Sequence, residues 1–442
     1  MPKNKITFSE TKLWELKEFF KNLSNIDLDE KKARLFPKGN SINENQTTSI
    51  FLASLSAVKE YREELISFLG SNKINAFNAQ LHTFTQLNSE DNKSIPDGLI
   101  VITTGKHEPV VEWACIVEAK IDKNPIEKNQ IMRYIKFAKS IGIDRLLTIS
   151  NDLATSPNQS PVVEMFSKRE LGKFKLYHWS WMYLKVTASR LIRNDAINDE
   201  DHVFILRELR HFFNVHPKVK NFNNMGSKWR EYSEQVGESR RKAVSNKTSE
   251  IIAKSFVQEE KDLALQLTDK KRLNLHIESI PIKNRLNHMK EQICKDKQVV
   301  STYMVNSNKH HTFEVVSNFI EREIKCSTKV IIQKGKAKAQ TTSLLKMLSK
   351  SAVPNKIFIT AVYKYNRESE KHSLQELEKQ LENPLKTDYS ILDKTKGDTV
   401  KHFEITTSEK IGASFYSQTK FIKKLEANAT QFLEQVVCNL KL

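Results

Sequence analysis

Cysteine is scarce in this chain: four in 442 residues, at Cys115, Cys294, Cys326 and Cys438, with no paired spacing among them. That excludes a disulfide framework and a cysteine-based zinc cluster. Also missing is any run of roughly 18 or more apolar residues, the length a membrane span needs. The opening Met1-Pro2-Lys3-Asn4-Lys5 leads into charged residues without a hydrophobic signal core, so the chain reads as cytoplasmic, with no membrane partner. No Gly-x-x-x-x-Gly-Lys-Ser/Thr loop occurs, and a P-loop phosphate site is not indicated. Acidic residues are in deficit, 53 Asp+Glu against 71 Lys+Arg, for a formal charge of +18. From Arg240 onward 37 basic residues oppose 23 acidic ones, which puts +14 of that charge in the C-terminal half. Such a surface attracts polyanions, nucleic acid above all; lysine serving solubility alone is the other reading.

What is present is organised around residues 95–134. Ile95-Pro96-Asp97-Gly98 opens one apolar run, and Val117-Glu118-Ala119-Lys120-Ile121 closes another. Residues 110–121 are β-branched, aromatic or aliphatic apart from Cys115, two glutamates and a lysine, the composition of a central strand. Side chains alternate on a strand, so Glu118 and Lys120 share a face, ~6.6 Å apart at a rise of ~3.3 Å per residue. Charges on a buried strand need a partner or a metal. If the two strands pair as a hairpin, Asp97 joins them. Two carboxylates and an ammonium at one sheet end suit Mg²⁺ or Mn²⁺ with open water positions.

Around this stretch the periodicity predicts a packing helix over 9–23 and a longer helix over 43–69, with Phe51, Leu55, Val58, Leu65 and Leu69 on one stripe. Strands follow over 81–87, 97–102 and 110–121, then a helix over 126–140 and a strand over 145–150, the order αβββαβ. On the second helix Ile126, Gln130, Tyr134, Phe137 and Ile141 form a stripe that turns Gln130 and Tyr134 inward, and a buried amide wants partners. Lys136, Lys139 and Arg145 can follow a substrate backbone or be simply solvated. A strand over 174–179 and helices over 181–193 and 201–213 are appended. His178, Trp179, Trp181 and Tyr183 read as core of those helices, with stacking on bases as the alternative.

Pro96-Asp97, Glu118-Ala119-Lys120, Gln130 and Tyr134, in this order and strand context, resemble the PD-(D/E)XK nuclease superfamily with its QxxxY extension. The resemblance covers residues 41–150. It implies a restriction-endonuclease-like core, metal binding by Asp97 and Glu118, help from Lys120 in attack on a phosphodiester, and supporting roles for Gln130 and Tyr134. It offers Glu44, at the start of the first core helix, as a further metal ligand. The competing reading of Glu44 is a capping box, Ser41-Ile42-Asn43-Glu44. By analogy it also brings in bacterial anti-phage and restriction systems, where a homodimer or a partner protein is common.

The chain therefore divides, on this reading, into a packing helix (1–40), an α/β nuclease domain (41–215), a charged helical connector (216–270) and a basic α/β domain (271–442) that resembles no family we recognise. In the last, Gln333-Lys334-Gly335-Lys336-Ala337-Lys338 is a basic loop before a helix that Thr341-Thr342-Ser343 can cap, a natural phosphate contact through Lys334, Lys336 and Lys338. The function expected is metal-dependent hydrolysis of nucleic acid, DNA favoured. A catalytically silent nucleic-acid scaffold, or an effector whose C-terminal domain docks a protein, stays open.

Overall fold

The structure, a computed structural model, describes residues 35–36, 43–71, 73–85, 96–105, 110–122, 124–154, 160–219, 221–238, 246–270, 273–277, 282–306, 308–333, 335–382, 389–392 and 398–440. The helix expected over 9–23 and Lys334 lie outside them. The chain is mixed α/β, built on two sheets.

The first sheet holds β1 (Gln80–Thr85), β2 (Gly98–Thr104), β3 (Val110–Ala119), β4 (Arg145–Ser150) and β5 (Lys175–Ser180), neighbours in that order. β1, β2 and β3 pair antiparallel, while β3–β4 and β4–β5 are parallel. Parallel neighbours need a crossover. Helix Lys128–Ser140 supplies the one between β3 and β4. Numbering the longer helices along the chain gives α1 (Glu44–Ala57), α2 (Lys59–Phe68), α3 (Lys128–Ser140), α4 (Trp181–Arg193) and α5 (Glu200–Val215). One sheet face, with Val117 and Ala119, packs against Phe51, Leu55, Trp181 and Phe212 of α1, α4 and α5. The other, with Ile116, packs against Ile131, Tyr134 and Ile135 of α3.

Gly98 is what allows α1 to approach the hairpin. A Cβ there would stand 2.6 Å from Leu52 Cδ1 and 3.2 Å from the Phe84 carbonyl oxygen. Gly98→Ala is expected to cost about 1–3 kcal/mol of stability through overpacking, read as a lower denaturation midpoint with an unchanged denaturant slope.

Two local readings are corrected. The helix expected over 43–69 is broken at Val58, whose extended backbone (φ −100°, ψ 110°) ends α1 and begins α2; a β-branched residue is at ease in that conformation. On α3 the buried positions are Ile131, Tyr134, Ile135 and Ala138, and Ile141 is 52% exposed beyond the helix end. The stripe is thus centred one residue further along, leaving Gln130 at its rim.

The second sheet is antiparallel throughout, in the order β11-β10-β12-β9-β8-β7-β6. Its strands are β6 (Leu275–Ile277), β7 (Gln298–Val305), β8 (Asn308–Asn318), β9 (Glu323–Val330), β10 (Phe358–Val362), β11 (His372–Ser373) and β12 (His402–Lys410). With it go α6 (Trp229–Glu238), α7 (Asn246–Lys270), α8 (Ile282–Glu291), α9 (Ala337–Leu348), α10 (Leu374–Leu381) and α11 (Lys420–Gln435). Trp229, Tyr232 and Phe256, from the stretch read as a connector, belong to this sheet's core. The Trp229 ring lies 4.5 Å from that of Phe421 and its Nε1 donates to the Phe415 carbonyl at 2.8 Å.

α7 touches both halves. Leu265 joins Leu153, Met182 and Val186 in one apolar cluster. Gln258 Oε1 accepts from the Leu153 amide at 3.0 Å, and the Arg193 guanidinium donates to the carbonyls of Thr268 and Asp269. Among the described residues no helix is long and apolar enough to cross a membrane.

Thr341-Thr342-Ser343 do not cap α9: they lie inside it, and Lys336 is the N-cap residue, without a side-chain cap bond. Thr341 and Thr342 instead donate to carbonyls four residues back, at 2.8 and 3.0 Å. The helix starts early because Gly335 turns with φ +91° and the Ala337 amide donates to the Asp398 carbonyl at 2.7 Å.

Candidate active site

The register Gly98↔Val117 sets Asp97, one step beyond it, opposite Glu118. Asp97 Oδ2 accepts from the Ala119 amide at 2.8 Å, tying the hairpin mouth together. Alternation along β3 turns Glu118 toward α3, where Gln130 Nε2 donates to its Oε1 at 2.7 Å. One helical turn on, the Tyr134 hydroxyl lies 3.5 Å from the same Nε2. Glu118 is 1% exposed, and its Oε2 meets no donor.

Lys120 follows β3, its amide donating to the Ile149 carbonyl at 2.7 Å and its carbonyl accepting from Trp181 Nε1 at 2.9 Å. The ammonium reaches Glu118 Oε1 at 2.6 Å, Glu44 Oε1 at 2.9 Å and the Ala119 carbonyl at 3.1 Å. Of the two readings of Glu44, capping box or site residue, the capping at the start of α1 falls to others. That box is made by Asn43 and Gln46, at 2.9 and 3.3 Å, which frees Glu44 to take Lys120 and the Ile121 amide, the latter at 3.3 Å. Asp97, Glu118, Lys120, Gln130, Tyr134 and Glu44 are thereby one polar network at the end of the first sheet.

Three acids against one ammonium leave this network short of positive charge. Burial first, then the negative charge of Asp97, pushes Glu118 up to about 8, against the pull of Lys120. Burial likewise raises Asp97, against the lowering by the Ala119 amide and by Lys120. For Lys120, burial works downward, but its bonds to Glu118 and then Glu44 outweigh it and raise the ammonium. These directions compete for one proton, because a neutral Glu118 would not raise Lys120. The 2.6 Å contact argues for a charged Lys120; the proton then belongs to the Asp97–Glu118 pair, where two carboxyls meet. Burial, then the charge of Glu118, also raises Tyr134, a neutral phenol behind Gln130.

Two buried histidines brace the site. His178 is buried between Thr148 Oγ1 at 2.8 Å and the Asp152 carbonyl at 2.9 Å, and burial holds its imidazole down at about 4. With Trp179 and Trp181 it is core, not a stacking surface. His216 Nδ1 accepts from the amides of Lys218 and Val219, both at 3.0 Å, and Nε2 meets Thr47 Oγ1 of α1 at 3.0 Å. Burial, then Lys218, lowers His216 to about 4. Its folded value lies below the ordinary one, so its contribution is present above about pH 6.5 and is lost as pH falls toward 4. His216→Gln should flatten the loss of thermal stability between those limits, an effect on the order of 1 kcal/mol, measured as Tm against pH.

Sequence reasoning missed Trp181 and His216 as supports because their partners lie 61 and 169 residues away. Arg145 leaves the list of backbone-tracking candidates: its side chain is 12% exposed, bonds Asp144 at 2.7 Å and stacks over Trp113.

On the second sheet Lys336 and Lys338, with Ala339, Thr342, Ser343 and Lys346, line an open groove along α9. Lys336 Nζ lies 3.6 Å from Asp398, both side chains more than four-fifths exposed.

No protein-family model, curated protein or solved structure matches this chain. The site must therefore be judged on its own donors. Asp97, Glu118 and Glu44 offer only hard oxygen donors, the kind Mg²⁺ or Mn²⁺ takes, but with Glu44 drawn to Lys120 and the Ile121 amide the oxygens of the three do not all lie within 4.8 Å of one another. Lys120, held among three oxygens, takes the place of positive charge that the set calls for.

Proposed function

We propose that this chain is a divalent-metal-dependent nuclease with a PD-(D/E)XK, restriction-endonuclease-like core, hydrolysing phosphodiester bonds of nucleic acid, most naturally DNA. The observation that carries the reading is Glu118: a carboxylate on a central strand, wholly buried, gripped on one oxygen by Gln130 and Lys120 and set beside a second buried carboxyl, that of Asp97. A structural ion pair has no use for a second buried carboxyl at its side. The αβββαβ order of the first sheet supports the same reading, though fold alone carries no function.

Asp97, Glu118 and Glu44 would hold Mg²⁺ or Mn²⁺, which when bound supplies Lewis acidity to the phosphate and the attacking water. The chain's own residues do the rest. The Ala119 amide fixes Asp97, and Gln130, backed by Tyr134, fixes the Glu118 rotamer, the kind of outer support that metal ligands need. Lys120, at the same sheet end as Asp97 and Glu118, would stabilise through its ammonium the charge gathering on the phosphate. The basic groove along α9 holds the polyanion.

The test is cleavage of supercoiled plasmid, linear duplex, single-stranded DNA and RNA by the purified chain, with Mg²⁺, Mn²⁺ or EDTA, beside Glu118→Ala and Lys120→Ala. Cleavage that needs metal and is lost in both variants is the expected result. Equal cutting by the variants overturns it; metal binding without cutting by the parent points to an effector awaiting a partner protein.

A further inference from the structure

α7 carries four successive charged residues, Glu259, Glu260, Lys261 and Asp262, all buried in the middle of the molecule. The nuclease reading uses none of them. Glu260 is accounted for by Arg285, whose guanidinium grips both its oxygens. Glu259 is not. It is 1% exposed and neither of its carboxylate oxygens meets a donor. Asp262, fully buried, leaves Oδ1 equally bare, while its Oδ2 accepts from Gln266 Nε2 at 2.8 Å. The same Nε2 donates to Glu426 Oε1 of α11 at 2.6 Å. Glu259, Asp262 and Gln266 are spaced three and four apart, one stripe of α7 facing α11. Oxygens of Glu259, Asp262 and Glu426 all lie within 4.8 Å of one another.

We propose that Glu259, Asp262 and Glu426 form a second divalent-cation site, remote in sequence from the Asp97–Glu118 centre, that takes a hard ion of the Mg²⁺, Mn²⁺ or Ca²⁺ class and clamps α11 to α7. Three oxygens mutually within this distance lie at most ~2.8 Å from a common centre, so a closing movement of a few tenths of an ångström brings all three to the ~2.3–2.6 Å of a Ca²⁺-type site. The donors are all oxygen, which disfavours zinc and copper. Unpaired buried carboxylates are rare because desolvation penalises the charged form, and a bridging cation removes the penalty for all three at once. No amine answers Glu259: Lys185 acts on Asp262, and Lys270 and Lys423 act on Glu426, while the charges acting on Glu259 are those of its two acidic neighbours. Burial, then the charges of Asp262 and Glu426, push Glu259 well up, and burial with the charge of Glu426 pushes Asp262 up to about 7 against the pull of Gln266, Lys185 and the Phe222 amide. Glu426, only partly buried, gives access from solvent. Gln266, by turning its amide over, offers a fourth oxygen to the same point.

The experiment uses the full chain carrying Asp97→Asn and Glu118→Gln, which silences the first centre and so separates this site from the nuclease reading. Mn²⁺ is the probe, followed by equilibrium dialysis, by its electron paramagnetic resonance spectrum and by Tm. The expected result is one Mn²⁺ bound per chain and a Tm raised by roughly a few degrees at saturating ion, both abolished by adding Glu259→Gln and Asp262→Asn. Glu426→Gln alone, at the accessible edge, should weaken Mn²⁺ binding about tenfold or more with the circular dichroism spectrum unchanged. Absence of bound ion in the first protein, or binding that survives the added substitutions, overturns the proposal. So does a Glu259→Gln/Asp262→Asn protein that is merely more stable than its parent in EDTA when the parent itself shows no response to Mn²⁺.

Discussion

Glu118→Gln is expected to reduce metal-dependent cleavage by at least 10²–10³-fold, roughly the loss seen when one preorganised electrostatic group is removed from a transition state, and to weaken Mn²⁺ binding at this centre. Lys120→Met should lose as much cleavage yet bind Mn²⁺ more tightly, by about tenfold. The difference follows from the network. An amide in place of the Glu118 carboxylate keeps its volume but surrenders the charge that any cation at this centre needs. Lys120, in contrast, is a competitor for that cation, because its ammonium occupies Glu118 Oε1 at 2.6 Å and Glu44 Oε1 at 2.9 Å. Methionine keeps the apolar stem and vacates both oxygens. A broken structural pair also leaves carboxylates that a cation would stabilise, so it is the loss of turnover beside the tighter metal that marks a working centre. If Lys120→Met cut at the parent rate, the role given to Lys120 would be wrong. If Mn²⁺ affinity did not change, the assignment of Glu44 and Glu118 as shared by ammonium and metal would fail. The measurement belongs in a background with Glu259 and Asp262 replaced, so that one centre is read at a time.

The parts of this centre that were legible in the sequence are those fixed by short covalent spacing. Glu118 and Lys120 share a strand face because the side-chain period is two, and Gln130 and Tyr134 meet because they are one helical turn apart. Asp97 needed only the hairpin assumption, which the β2–β3 register satisfies. Glu44 was legible as a residue near the site but not as what it does there. Its capping role was taken by Asn43 and Gln46, a choice between two nearly equivalent local hydrogen-bond patterns that only the distant ammonium of Lys120 decides. The break at Val58 was invisible because the apolar stripe runs through it unbroken. The largest failure of periodicity lies on α7. Ile251, Ile252, Phe256, Leu263 and Leu267 recur at helical spacing, and on that pattern alone Glu259, Lys261 and Asp262 belong to a solvated face. A helix packed against elements of both sheets has little face left for water, and its charges go inside. No single-sequence pattern reports that a second layer will cover a polar face.

The second large effect concerns the basic half. Lys336→Ala, Lys338→Ala and Lys346→Ala in one chain are expected to weaken binding to duplex DNA by about 10–100-fold at ~0.1 M salt and to reduce the slope of log affinity against log salt by about two to three, at ~0.9 per lost phosphate contact. The three side chains line one groove along α9. Lys336 lies 3.6 Å from Asp398, but that pair is largely solvated, and such pairs are worth little. A phosphate can therefore displace it. Thr342 and Ser343, on the same groove, add hydroxyl donors that position a backbone without reading its sequence. The loss should accordingly be the same for unrelated duplexes. Fluorescence anisotropy over a salt series separates the possibilities: a reduced slope with the Asp97–Glu118 centre still binding Mn²⁺ assigns the groove to nucleic acid. An unchanged slope in the triple variant takes DNA away from α9. In that case the charge of the C-terminal half serves a protein partner, and cleavage by the isolated chain should be weak for want of it.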